Sequence, residues 1–130
     1  MAFLIHSIDN ANVVPWEYLP AGAIQPEIGK LLTLSSGQLA VAGATAKPQY
    51  VSMAQYGSAV SAGTVIPVIK VRDDIVFETT FSTSASDRKV GDAVTTANGM
   101  QATATTTNGV ATIVGIDSTA SGGKVRVRFL

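Results

Sequence analysis

Thr64-Val65-Ile66-Pro67-Val68-Ile69-Lys70-Val71, then Arg72-Asp73-Asp74, then Ile75-Val76-Phe77-Glu78-Thr79-Thr80-Phe81: two β-branched, apolar runs stand on either side of a polar turn. Successive side chains of a strand point to opposite faces. That alternation puts Ile75, Phe77, Thr79 and Phe81 on one side of the second run and Val76, Glu78 and Thr80 on the other. Asp-Asp between two such runs is ordinary turn chemistry. Pro67 has no N–H to give a ladder, which predicts that its strand lies at a sheet edge or bulges there.

The same pattern spreads outward in both directions. Upstream, Leu31-Leu32-Thr33-Leu34, Ser35-Ser36-Gly37 and Gln38-Leu39-Ala40-Val41-Ala42 predict a hairpin closed by a short Gly-containing loop. Tyr50 to Ala54 is the next strand. Downstream, Val90 to Thr95 leads to Asn98-Gly99, a two-residue hairpin signal because both positions tolerate positive φ. Asn108-Gly109 offers another turn, and Val110 to Ile116 another strand. Lys124 to Leu130 ends the chain with Val125, Val127 and Phe129 on one face and Lys124, Arg126 and Arg128 on the other. No stretch repeats apolar residues at helical spacing over two turns. The chain is therefore predicted to be all-β, a small β-barrel or β-sandwich built from short hairpins.

Residues 1–18 are predicted to form an extended N-terminal arm ahead of a single β domain over 19–130. Phe3-Leu4-Ile5 is apolar, Asp9-Asn10-Ala11-Asn12 interrupts it, and Pro15 disfavours helix at its neighbour. Trp16 and Tyr18 follow in this arm, either docked on the protein's own barrel or inserted into a partner. A fainter feature is an internal echo, Gly29-Lys30-Leu31-Leu32-Thr33 with Ser36-Gly37 against Gly91-Asp92-Ala93-Val94-Thr95 with Asn98-Gly99. It fits two similar β units in one barrel, and equally the generic look of two Gly-bounded hairpins.

Composition narrows the function classes. The 130 residues suit one domain with one proper core. Only 14% are charged, nine basic against nine acidic, so no net field gathers nucleic acid or anionic lipid. No cysteine is present, which removes disulfides, thiolate metal sites and thiol nucleophiles. No apolar run is long enough to span a membrane, and the short apolar start lacks the charged region of a signal peptide. Synthesis in the cytoplasm is the expectation.

No reactive constellation emerges. His6 is the single histidine and lies in the arm, so a Ser-His-Asp arrangement would depend on that segment. Asp73 and Asp74 are adjacent on extended chain and point apart. Ser121-Gly122-Gly123-Lys124-Val125 lacks the first glycine and the hydroxyl of a phosphate loop, having Ser118 and Val125 there. No catalytic, cofactor-binding or metal-binding residue is assigned. The basic row Lys124, Arg126, Arg128 carries no interleaved aromatics of the kind that stack on single-stranded nucleic acid.

The order of the C-terminal motifs resembles one family. Val90-Gly91-Asp92-Ala93-Val94, then Ile113-Val114-Gly115-Ile116, then Gly122-Gly123-Lys124-Val125-Arg126-Val127-Arg128-Phe129-Leu130 is similar to the tailed-phage capsid decoration (head cement) proteins. The match is best over Lys89 to Leu130 and fainter over Gly29 to Val71. The resemblance implies a compact, β-tulip-like barrel or sandwich, commonly a homotrimer, that binds the major capsid protein on the virion exterior. It would cement neighbouring subunits of the expanded head, with no nucleic acid, membrane or cofactor involved. Family arms often add a strand to a capsid segment, which points to Phe3, Leu4, Ile5, Trp16 and Tyr18, with Lys124, Arg126 and Arg128 as a second partner-facing group. The Trp16-Glu17-Tyr18 cluster maps onto no family motif. The alternatives are another phage module (tail, fibre or baseplate) and a carbohydrate-binding accessory domain.

Overall fold

The computed structural model describes residues 1–9 and 13–130, and its described residues form short strands almost throughout. One five-stranded sheet runs in the spatial order β1 (Leu4–Ile8), β7 (Ile75–Thr80), β12 (Lys124–Arg128), β11 (Ala111–Ile116), β8 (Ala93–Val94). The other, also five-stranded, runs β2 (Trp16–Pro20), β6 (Val65–Lys70), β5 (Tyr50–Ser52), β3 (Leu31–Ser35), β4 (Gln38–Val41). A two-stranded ribbon of β9 (Thr96–Ala97) and β10 (Gln101–Ala102) stands between β8 and β11 in the chain. All strand pairs are antiparallel. The architecture is all-β and compatible with a small sandwich.

The alternation of side chains builds the core as the sequence predicts. Ile75, Phe77, Thr79 and Phe81 are buried along β7, and Val125, Val127 and Phe129 along β12. The apolar ones among them meet Leu31, Val51 and Ile69 from the second sheet in one cluster shared by both sheets. The second sheet is covered on its other face too, where Leu32, Leu39, Ile66 and Val68 pack under Ala21 and Ala54. Its edges also approach each other, because Ala21, just past β2, bridges Leu39 of β4.

Four expectations change. Residues 1–18 do not form a separate arm: β1 pairs along β7 and β2 along β6, so the segment supplies an edge strand to each sheet. Burial of Phe3 explains this, since its ring packs 5.7 Å from that of Phe129 and its N–H donates to Gly29 O at 2.9 Å. The Asn10–Asn12 part of the predicted break lies outside the described residues. Secondly, the strands flanking Arg72-Asp73-Asp74 belong to different sheets, and the turn carries the chain across. Thirdly, the Pro67 strand is neither an edge nor bulged, for β6 lies between β2 and β5. Pro67 O still accepts from Met53 N at 3.0 Å, and the missing N–H faces Met53, one residue past the end of β5, so the ladder of β5 itself loses no donor. Finally, Asn98-Gly99 opens a three-residue loop, with Ala97 paired to Gln101. The third residue, Met100, is held because its carbonyl accepts from Thr79 Oγ1 at 3.0 Å.

The internal echo persists in the backbone. Gly29 and Gly91 have φ of 85° and 101°, Ser36 and Asn98 of 51° and 54°, Gly37 and Gly99 of 79° and 68°.

Candidate functional site

The basic row of β12 is an ion-pair network. Arg126 Nη1 lies 2.9 Å from Asp117 Oδ1, Arg128 Nη1 lies 2.7 Å from Asp9 Oδ2, and Lys124 Nζ lies 3.9 Å from Glu78 Oε1. Arg126 reaches Asp117 because it lies flat over Gly115, where any Cβ would sit 2.6 Å from Nη2. This bulge between Ile113 and Gly115 is the physical content of the Ile-Val-Gly-Ile motif. Arg128 also donates to Asp73 O at 3.1 Å, tying the sheet-crossing turn to the end of β1. Its hydrogen bond holds the Asp9 carboxyl below the ordinary aspartate value and raises the guanidinium's own. With its charges matched by carboxylates, the row offers a mixed surface rather than a cationic stripe.

The apolar start of the chain divides by face. Phe3 is buried in the shared core, Ile5 is half-buried against it, and Leu4 turns outward at 51% exposure. Phe3, Leu4 and Ile5 line an apolar recess with Val51, Met53, Ile69 and Phe77, of only about 80 Å³. Small-molecule sites usually need roughly 300 Å³ or more. A larger groove, about 370 Å³ along Lys47, Gln49, Tyr50 and Lys70, is shallow and open.

Strand β2 is the most exposed apolar feature. Trp16 and Tyr18 project from one face at 51% and 70% exposure, beside Val65 at 59%. Alternation puts Glu17 on the other face, where burial and the nearby Glu17 charge both raise the Tyr50 phenol. Trp16-Glu17-Tyr18 forms a strand here because β6 supplies a continuous partner from Ile69 to Val65.

His6, Asp74 and the Gly122-Gly123 segment each have a structural partner. His6 lies on the exposed side of β1 with Nδ1 3.4 Å from Ser7 Oγ. Asp74 accepts from Arg72 Nε at 3.1 Å within the turn. The Gly122-Gly123 segment closes on Phe81, whose O accepts from Gly122 N at 2.8 Å, and leads into a strand. Among the described residues, no group of three or more His, Cys, Asp or Glu side chains is placed to hold a metal ion. Nor is any helix among them long and apolar enough to cross a membrane.

Of the residues singled out in the sequence, the fold groups Trp16 with Tyr18 on one sheet edge and Leu4 with Lys124 around Glu78 on the other sheet. The two groups are not brought into one site. Sequence reading missed Asp9, Glu78 and Asp117 as partners of the basic row. Asp9 and Glu78 meet the row only through folding, whereas Asp117 stands nine residues before Arg126 in the last hairpin. Comparison with protein-family models, curated proteins and solved structures returns no match.

Proposed function

We propose that this protein acts by adhesion, as a decoration protein that binds the outside of a tailed-phage head, and that it does so as a homotrimer contacting the major capsid protein. The observation that carries the adhesive reading is the β2 edge, where a tryptophan and a tyrosine stand exposed on a strand whose outer side is paired with no strand among the described residues until Ala21 meets Leu39. Trp and Tyr are the side chains that most often anchor protein interfaces. The capsid as partner is supported by the motif order from Val90 to Leu130. Individual contacts need not be strong, because repetition over a shell multiplies avidity.

The test is co-sedimentation of purified protein with expanded and unexpanded heads. Binding to the expanded form alone is expected, weakened about tenfold or more by Trp16→Ala with Tyr18→Ala, as for loss of an interface anchor. Equal binding to both forms, or to neither, refutes the capsid reading.

A further inference from the structure

The echo seen in the sequence runs through the whole fold. The second sheet runs β2-β6-β5-β3 before β4, and the first, beyond β1, runs β7-β12-β11-β8. Their registers correspond: Glu17↔Val68, Val51↔Ile69 and Leu31↔Val51 in one match Phe77↔Val127, Thr112↔Arg128 and Ala93↔Thr112 in the other. The parallel bridge Ala21↔Leu39 has its counterpart in Phe81↔Ala102. So do the hydrogen bonds around it. Ala21 N donates to Thr64 O at 2.7 Å as Phe81 N does to Gly123 O at 3.0 Å, and Gly22 N to Leu39 O at 2.9 Å as Ser82 N to Ala102 O at 2.8 Å. Gly29 N donates to Ser52 O and Gly91 N to Ile113 O, both at 2.8 Å. Positive φ is uncommon outside glycine, yet of the three non-glycine residues that adopt it among the described residues two, Ser36 and Asn98, fall at matched positions. Two generic hairpins do not reproduce bridges, registers and long-range hydrogen bonds together.

The two units differ at one edge. In the second, β1 covers the outer side of β7, pairing Leu4 with Glu78, Ile5 with Phe77, Ser7 with Val76 and Ile8 with Ile75. The corresponding stretch of the first unit is Pro15 to Tyr18, and there β2 is the last strand of its sheet. Val76 is 6% exposed under β1, while its counterpart Trp16 is 51% exposed. Pro15 O accepts from Lys70 N and Ala21 N donates to Thr64 O, so the odd residues of β2 face β6. By the alternation of an antiparallel ladder, Trp16 O and both backbone groups of Tyr18 face away. We infer that the chain is a tandem pair of one β unit, and that the Trp16–Tyr18 edge takes an extended segment of a different protein, antiparallel to β2, where the second unit takes β1.

The chemistry of the edge specifies the segment. Apolar residues are required across from Trp16 and Tyr18, and a lysine or arginine across from Glu17, the one charged residue of β2. A second copy of β2 fits poorly. Trp16 N is turned back onto Val14 O at 3.0 Å and Pro20 has no N–H, so a two-fold pairing has only the two Tyr18 N–H groups as donors. A foreign strand brings donors of its own to Trp16 O and Tyr18 O.

This inference deepens the adhesive reading and rests on it for the biological use of the edge. Two measurements on the intact chain test it. In amide exchange by NMR, Glu78 N–H, paired to Leu4, is expected to be slow, and Tyr18 N–H fast. A slow Tyr18 amide in the monomer overturns the inference, because the edge is then already covered; head binding alongside it would leave the capsid reading standing. A yeast-displayed library of random strand-length peptides is then selected against the protein. Enrichment of apolar–basic–apolar sequences is expected, bound about tenfold or more weakly by Tyr18→Pro and by Trp16→Ala, and protecting the Tyr18 amide when bound. Trp16→Ala and the amide readout decide the matter should the proline variant not fold. Absence of such peptides, binders indifferent to both variants, or a dimer abolished by Trp16→Ala overturns it.

Discussion

Gly29 and Gly37 both adopt positive φ, yet their surroundings differ. A Cβ on Gly29 would lie 2.5 Å from Ala2 Cβ and 2.8 Å from Phe3 N, whereas one on Gly37 meets nothing within 4 Å. Gly37→Ala is therefore expected to cost only the left-handed backbone penalty, about 1–2 kcal/mol. Gly29→Ala carries that penalty and also displaces the segment that seats Phe3, so it is expected to cost clearly more in urea unfolding. Thr96 offers the opposite sign. Its hydroxyl is the one buried side-chain polar atom without a hydrogen-bond partner among the described residues. Thr96→Val keeps the shape and removes that desolvated group, and a gain of about 1 kcal/mol is expected in the same assay.

At the scale of the element, β1 is held at its start by Phe3 and at its end by Arg128 on Asp9. The Asp9 carboxyl has a lowered value in the folded protein, so the unfolded chain takes up its proton first. The pair's contribution is complete above the ordinary aspartate value of 3.8 and is lost as pH falls through the lowered folded value. Asp9→Asn is therefore expected to be less stable than the parent near neutrality, and to converge with it in strong acid. Chemical denaturation at both pH values checks the sign. Strand β12 shows why a clean alternation does not reveal what its polar face does. Lys124, Arg126 and Arg128 were legible as one face, but of the carboxylates that match them only Asp117 is near in sequence, in the same hairpin; Glu78 and Asp9 come from distant parts of the chain.

For the whole molecule, the position of β1 changes what truncation should do. An arm outside the domain would be removable at little cost. Here deletion of residues 1–9 takes Phe3 out of the shared core and uncovers β7. Loss of a buried Phe alone costs about 3–5 kcal/mol, against a total stability of roughly 5–15 kcal/mol for a domain. A large drop in melting temperature, with loss of cooperativity, is the expected result by calorimetry. A truncated protein melting like the parent would mean that β1 contributes little to the core.

What the amino-acid order settled by itself is everything with a short period. The β class, the inward row Ile75, Phe77, Phe81, the inward row Val125, Val127, Phe129 and the turns at Ser36-Gly37 and Asn98-Gly99 all follow from alternation and from residues that tolerate positive φ. Which strand lies beside which was decided only in three dimensions. Hydrogen bonding between strands is made by backbone that every residue shares, so Leu4–Ile8 and Trp16–Pro20 carry no local mark of pairing with β7 and β6. Their places, and the edge left open at Trp16, follow from how Phe3 and the two sheets fill one common interior.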